Sequence, residues 1–139
     1  MAEQTRRERM FEAEMTNSQL EQVQEYLGSI ARQRAEIQTL KEEIDRYQNV
    51  KAGDDILAPL ANGIFIRAKA VEDRTFLVNA GAGAVVPKSA SEVKTMLDKQ
   101  LAELEEYDLQ LHEQFDRLLE RLAQIQKEFE AGAAQRKGA

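Results

Sequence analysis

The residues of this chain that could carry acid–base, metal or nucleophilic chemistry are few and poorly spaced for it. The sequence of 139 residues has one histidine, His112, and no cysteine. With one histidine, neither a histidine metal cluster nor a Ser-His-Asp triad is indicated. We expect His112 to be a solvated residue beside a helix seam. The carboxylates come as sequence neighbours, such as Glu42 with Glu43, and do not converge as an acid–base pair. The sequence therefore predicts no catalytic residue, no metal site, no cofactor and no enzymatic activity.

A glycine-rich segment and two basic clusters could instead bind anionic ligands. The segment at 81–83 lacks the G-x-x-x-x-G-K-[ST] pattern and does not open a helix with dinucleotide-binding spacing, which favours a hairpin turn. Arginines and lysines at 6–9 and 136–137 would form either a charged rim for partners or solvated helix ends. The formal net charge of −6 argues against broad binding to nucleic acid or to an anionic membrane surface.

Composition favours long helices in a soluble protein. Charged residues make up 32% of the chain and aromatic residues 6%. No apolar run approaches the roughly 20 residues that cross a bilayer, and the first ten residues lack an apolar leader. We expect a cytoplasmic protein with neither a membrane nor a nucleic acid as partner.

Two regions have the three-four spacing of apolar residues that is typical of coiled-coil seams. Ser89 with Glu92 predicts the start of the second helix, and Gly132 predicts its stop. The first seam comprises Leu20, Val23, Leu27, Ile30, Ile37, Leu40, Ile44 and Tyr47. The second comprises Leu97, Leu101, Leu104, Leu111, Phe115, Leu118, Leu122, Ile125 and Phe129.

Residues 53–88 predict four short β-strands in two hairpins. Asn62 and Gly63 form a strong hairpin turn signal, and 81–83 supplies two glycines that tolerate positive φ. The polar segment Glu72-Asp73-Arg74 is the predicted loop between the hairpins.

The order helix, hairpins, helix predicts that the second helix returns antiparallel beside the first. Seam positions then pair when their numbers add up to about 141 or 142, as in coiled-coil packing. This register sets Ile30 against Leu111 and Leu40 against Leu101.

The same register places the two polar seam residues, Arg34 and Asp108, opposite each other. We predict an ion pair that fixes register, with two separately solvated charges as the alternative. The predicted fold class is α+β in a single domain spanning residues 1–139. It has a helix at about 9–50, hairpins at 53–88, a helix at 89–131 and a disordered tail at 132–139.

The β segment carries more apolar surface than two hairpins can bury alone. We expect it to oligomerise, most simply by closing an intersubunit β-barrel. The predicted assembly residues are Ile56, Leu57, Leu60, Ile64, Phe65, Ile66, Phe76, Leu77, Val78, Val85 and Val86.

The β segment resembles that of the archaeal-type prefoldin alpha-class subunit. The resemblance is carried by ILAPL at 56–60, GIFIRAK at 63–69 and LVNAGAGAVVPK at 77–88, and it departs at Ala58 and Ala61-Asn62. It covers nearly the whole chain, and two hairpins resemble the alpha class whereas the beta class has one. The resemblance implies a hetero-hexamer of two alpha and four beta subunits with a double β-barrel platform and six coiled coils. It also implies an ATP-independent holdase chaperone that captures unfolded proteins and delivers them to a group II chaperonin.

The register brings five apolar residues together at the free end of the coiled coil. Methionine and phenylalanine suit a surface that adapts to unrelated clients, although these positions could also be ordinary core near a helix end. The predicted client-binding residues are Met10, Phe11, Met15, Ile125 and Phe129. A polar end would favour the alternative function, a structural coiled-coil scaffold or adaptor in a prefoldin-like complex.

Overall fold

The computed structural model describes residues 2–71 and 75–137 and consists of two long helices with two β-hairpins between them in sequence. The elements are α1 (Ala2–Tyr47), β1 (Asp55–Ala61), β2 (Ile64–Lys69), β3 (Thr75–Gly81), β4 (Ala84–Ser89) and α2 (Ala90–Lys137). The predicted fold class is therefore confirmed for this chain. The predicted loop Glu72-Asp73-Arg74 lies outside the described residues. The chain divides into two compact units, residues 1–33 with 103–139, and residues 34–102.

Both helices are longer than the sequence predicted. α1 begins at Ala2, and α2 continues through Gly132 to Lys137, so the predicted stop and the predicted disorder of residues 132–137 are wrong. Gly132 keeps a helical backbone because Ala131 and Ala133, the strongest helix-forming type, flank it. Over the described residues, neither helix has a stretch long and apolar enough to cross a membrane.

The start of α2 is capped as predicted. The backbone N–H of Glu92 donates to the Ser89 hydroxyl at 3.1 Å, which satisfies one of the amides left open at a helix N-terminus. The Ser89 hydroxyl donates in turn to the Glu92 carboxylate at 3.2 Å. The chain thus turns from β4 directly into α2.

The two hairpins share one geometry. Asp55 pairs with Lys69 in the first, and Thr75 pairs with Ser89 in the second, so each pair recurs 20 positions later. Each turn has two residues with φ of 51° and 76°, as type I′ turns require. These are Asn62-Gly63, as predicted, and Ala82-Gly83. Gly81 and Gly83 have positive φ, as predicted, and Ala82 between them also adopts a left-handed conformation.

The core of the second unit joins the second hairpin to the helices. Ile44, Val93 and Leu97 are buried together, and Phe76 and Val78 of β3 pack against them. The Tyr47 and Phe76 rings meet edge to face with centroids 5.5 Å apart. β3 is therefore anchored by its inward face.

One predicted seam contact in the second unit is wrong. Leu40 is 43% exposed, and Lys41 is half-buried in its place, with its ammonium bonded to Asp98. The alternating three- and four-residue steps that run from Leu20 to Ile44 pass through position 41 and not through position 40, so the phase of the helix outweighs the hydrophobicity of Leu40.

The first unit shows the predicted antiparallel register. Leu20, Val23 and Ile30 are buried, and Ile30 and Leu111 line the same depression. Arg34 belongs to the second unit and Asp108 to the first; each is half-buried, and the ion pair stays a prediction.

Candidate functional site

The end of the first unit that contains the start of α1 is held closed by polar contacts. The Arg9 guanidinium lies 3.3 Å from the Glu128 carboxylate and also donates to the Glu128 backbone carbonyl at 3.3 Å. Arg121 and Glu12 form a second ion pair between the helices. The helices therefore stay paired up to Arg9.

Buried residues complete this closure. Thr16 and Ile125 are each 3% exposed. The Thr16 hydroxyl donates to the Glu12 carbonyl at 2.8 Å within its own helix, which lets a polar side chain occupy the seam. Sequence reasoning missed Thr16 because it is polar, although it lies one four-residue step before Leu20.

Three of the five predicted client-binding residues are exposed at this end. Met10 is 50%, Phe11 64% and Met15 47% exposed. Phe11 and Met15 are four residues apart and so lie on one side of α1, whereas Met10 is about 100° away from Phe11 around the helix. The prediction for Ile125 is corrected: the seam buries it and leaves it unavailable while the helices are paired. Phe129 is half-buried.

The β segment presents a second apolar surface. Leu57 and Leu77, at equivalent positions of the two hairpins, are 65% and 75% exposed, and successive strand residues point to opposite faces. Ile56, Phe76 and Val78 are half-buried on the opposite face. The other exposed members of the predicted assembly set are Leu60, Ile64, Phe65, Ile66, Val85 and Val86.

The strands also have unpaired edges. Each sheet in the described part of the chain has two strands, β1 with β2 and β3 with β4. A two-stranded sheet with an exposed apolar face and open edges is a template for pairing with another chain.

The groups considered for chemistry lie apart from these surfaces. His112 is exposed, as predicted, with Nδ1 2.9 Å from the Asp108 carbonyl oxygen. The segment at 81–83 forms the turn of the second hairpin. Across residues 2–71 and 75–137, no three His, Cys, Asp or Glu residues cluster as metal ligands would.

This chain belongs to the prefoldin family, since the family model described as prefoldin subunit matches residues 16–135. It is similar to prefoldin subunit alpha of Methanococcus aeolicus, at 29% identity over 86% of this chain and 81% of that protein. Prefoldin subunit alpha 1 of Methanocaldococcus jannaschii is 29% identical over 94% of this chain and 88% of its own length. The resemblance to an archaeal-type alpha-class subunit is confirmed, and the function of the chain is that of a holdase chaperone subunit.

A solved structure has the same fold. The cryo-EM structure of filamentous PFD from Methanocaldococcus jannaschii matches with a TM-score of 0.75 at 14% identity. The match covers 84% of this chain and 97% of that chain. Two helices with inserted hairpins are thus a fold that distant sequences share.

Proposed function

We propose that this chain is a passive subunit that grips unfolded proteins with Met10, Phe11 and Met15 and assembles through its hairpins. The partners are beta-class subunits, in a cytoplasmic hexamer of two alpha and four beta chains that passes clients to a group II chaperonin. Neither gripping nor release involves catalysis or ATP hydrolysis by this chain.

The exposure of these three side chains at an otherwise closed helix end carries the proposal. The seam and the ion pair of Arg9 with Glu128 already satisfy the helix pairing there. Because 47–64% of the surface of each of these side chains stays exposed with the helices paired, that apolar area is available to another chain. Methionine side chains repack around different sequences, and phenylalanine supplies most of the apolar area.

The hairpins support the assembly part of the proposal. Leu57, Leu77 and Phe65 expose apolar surface on regular strands with open edges. Closing a barrel with other chains would cover both the edges and the face. The gripping end contains no hairpin residue, so assembly and gripping can be tested separately.

The test is the triple variant Met10→Ser, Phe11→Ser, Met15→Ser in the assembled complex. We expect the assembly mass to be unchanged by native mass spectrometry and most protection of an aggregating client, followed by light scattering, to be lost. The matched control is Leu109→Ser with Leu119→Ser, which removes leucines that are 66% and 43% exposed elsewhere on α2. This control should protect as well as the unaltered chain.

Full protection by an intact triple variant would overturn the gripping role and support the scaffold alternative. The single variant Phe129→Ser tests whether Phe129 binds clients or holds the two helices together. Because Phe129 is half-buried, a role in closure predicts a lower melting temperature, whereas a role in gripping predicts lost protection at an unchanged melting temperature. Adding ATP without a chaperonin should change none of these results.

A further inference from the structure

A groove lies between the helices of the first unit, away from the closed end. Its volume is about 330 Å³, at the lower end of the range for ligand sites. Ile30 and Leu111 form its apolar part, and Tyr26 and Tyr107 flank it with 53% and 60% of their surface exposed. We call this site the tyrosine groove.

The tyrosine groove has a local two-fold pattern. Each helix places a tyrosine four residues before its central apolar residue, Tyr26 before Ile30 and Tyr107 before Leu111. Each helix also places a glutamine three residues after it, Gln33 or Gln114. An antiparallel helix pair brings these matching positions to one side of the seam, so the groove has the same chemistry at both ends.

The lining of the groove is uncharged in a chain that is 32% charged. Positions flanking a coiled-coil seam are commonly Glu or Lys, whereas here Tyr26, Gln33, Tyr107 and Gln114 occupy them. Amide and hydroxyl groups both donate and accept hydrogen bonds, as peptide groups do. Gln33 donates to the Ser29 hydroxyl at 3.3 Å, which positions its amide beside the groove.

Acidic residues adjoin one end of the groove. Glu103 and Glu106 form a second depression together with Tyr107 and Gln110. Tyr107 and Gln110 also line the tyrosine groove, so the two depressions adjoin each other at these side chains. A ligand seated among the amides therefore reaches two exposed carboxylates within the same unit.

We propose that the tyrosine groove binds an extended segment of unfolded polypeptide with a lysine or arginine next to uncharged residues. The backbone of the segment bonds to the glutamines, its side chains pack on the two tyrosine rings, and its cation lies beside Glu103 and Glu106. This proposal rests on the holdase function and adds a second client contact, which is selective for charge.

The test uses photo-crosslinking in the assembled complex. The probe is a fluorescein-labelled 12-residue peptide of Ser, Gln and Leu with two lysines, and its matched control has glutamate in place of lysine. With Tyr107 replaced by p-benzoylphenylalanine, we expect the lysine peptide to crosslink severalfold more than the glutamate peptide. With Leu109 replaced instead, two residues along the same helix, crosslinking of both peptides should be low.

Two further variants measure affinity by fluorescence anisotropy. Glu103→Gln with Glu106→Gln should weaken lysine-peptide binding roughly fivefold, as expected for exposed charge pairs, and leave the glutamate peptide unaffected or tighter. Tyr26→Ala with Tyr107→Ala should weaken it about tenfold or more, as loss of an aromatic anchor does. Glu113→Gln with Asp116→Asn, on the same helix outside the groove, should have no effect.

Equal crosslinking at positions 107 and 109, or affinities that none of these variants changes, would overturn the tyrosine groove as a site. The triple variant at Met10, Phe11 and Met15 separates this outcome from failure of the proposed function. If that variant loses client protection but binds the lysine peptide normally, the two contacts are independent. If it loses both, the peptide binds at the helix end and the groove proposal is wrong.

Discussion

The exposed apolar surfaces of the hairpins and of the helix end are both hydrophobic, but strands carry the first and a helix carries the second. Leu57 and Leu77 are carried by strands whose register is fixed by paired neighbours and by type I′ turns. Met10 and Phe11 are carried by a helix whose backbone bonds are satisfied within the helix itself. A partner at the strands gains backbone hydrogen bonds and a fixed register, whereas a partner at the helix end gains only side-chain contacts.

In the proposed function, this difference separates a permanent interface at the strands from a transient one at the helix end. Strand pairing demands a complementary edge, so it selects one partner and holds it. Helix-borne methionine and phenylalanine accept many sequences, because no backbone pattern has to match. Exposed area alone would not distinguish the two surfaces.

The largest effect is expected from charged substitutions on the exposed face of the hairpins. Leu57→Asp with Leu77→Asp puts a carboxylate on the outward face of each hairpin, where burial against a partner is strongly unfavourable. We expect the assembly to be lost, with only smaller species in sedimentation velocity at micromolar concentration. The control is Lys69→Gln, a charge change at another exposed strand position that sets no like charge against Asp55. A stable assembly of the double variant would mean that the hairpins are not the interface.

The next comparison uses two phenylalanines. Phe76→Ala should lower the free energy of unfolding by about 2–3 kcal/mol, less than for a fully buried phenylalanine, because Phe76 is half-buried against Ile44, Val93 and Leu97. Phe11→Ala should change it by less than about 0.5 kcal/mol, because Phe11 is 64% exposed. Denaturant titration of both variants checks this. Equal losses would mean that Phe11 supports the fold instead of the grip.

Side-chain adaptability can be tested at constant hydrophobicity. Met10→Ile with Met15→Ile keeps apolar area but restricts the side chains at χ1. We expect protection to fall for some clients and persist for others, measured by light scattering over a panel of unrelated proteins. Leu77→Met, the reverse change on the strand surface, should leave the assembly mass unaltered. Equal protection of all clients by the isoleucine variant would show that apolar area is enough for client binding and that methionine flexibility is not needed.

The smallest expected effect concerns the second turn. Ala82 has φ of 51°, a region that costs a residue with a Cβ about 1 kcal/mol. Ala82→Gly should therefore raise the free energy of unfolding by about 0.5–1 kcal/mol. Ala80→Gly, the same substitution in the strand, should lower it by a similar amount. Thermal unfolding of both variants shows whether each substitution raises or lowers the free energy of unfolding. A lower stability of the Ala82→Gly variant would show that Ala82 is not strained at this turn.

Much of the fold could be predicted because its periodicity is simple. The four strands and the Asn62-Gly63 turn follow from residue types, and the pairing of Ile30 with Leu111 follows from the spacing of the seams. The errors have local causes. Leu40 was assigned by hydrophobicity against the phase of the helix, and Gly132 was taken as a stop although alanines flank it.

The candidate site was predicted less completely. The exposure of Met10, Phe11 and Met15 could be predicted because these apolar residues lie outside the seam, and their role in client binding stays a prediction. Ile125 was misassigned because sequence alone does not show how far the helices stay closed, and Thr16 was missed because it is polar. The tyrosines and glutamines of the tyrosine groove lie outside the apolar periodicity of the seams. Only the packed helices show that these side chains come together.

The repeated hairpin geometry has a kinetic consequence. One chain offers the same register and turn twice, 20 positions apart, within one compact unit. In a closed assembly that uses both hairpins, the opening of one contact leaves the other in place, and the separated surfaces stay at a high effective concentration. The opened contact then re-forms faster than the chain dissociates, so the chain leaves the complex only when both hairpin contacts are open at the same time. Such a chain acts as a bivalent clamp, and dilution alone removes it from its neighbours only slowly.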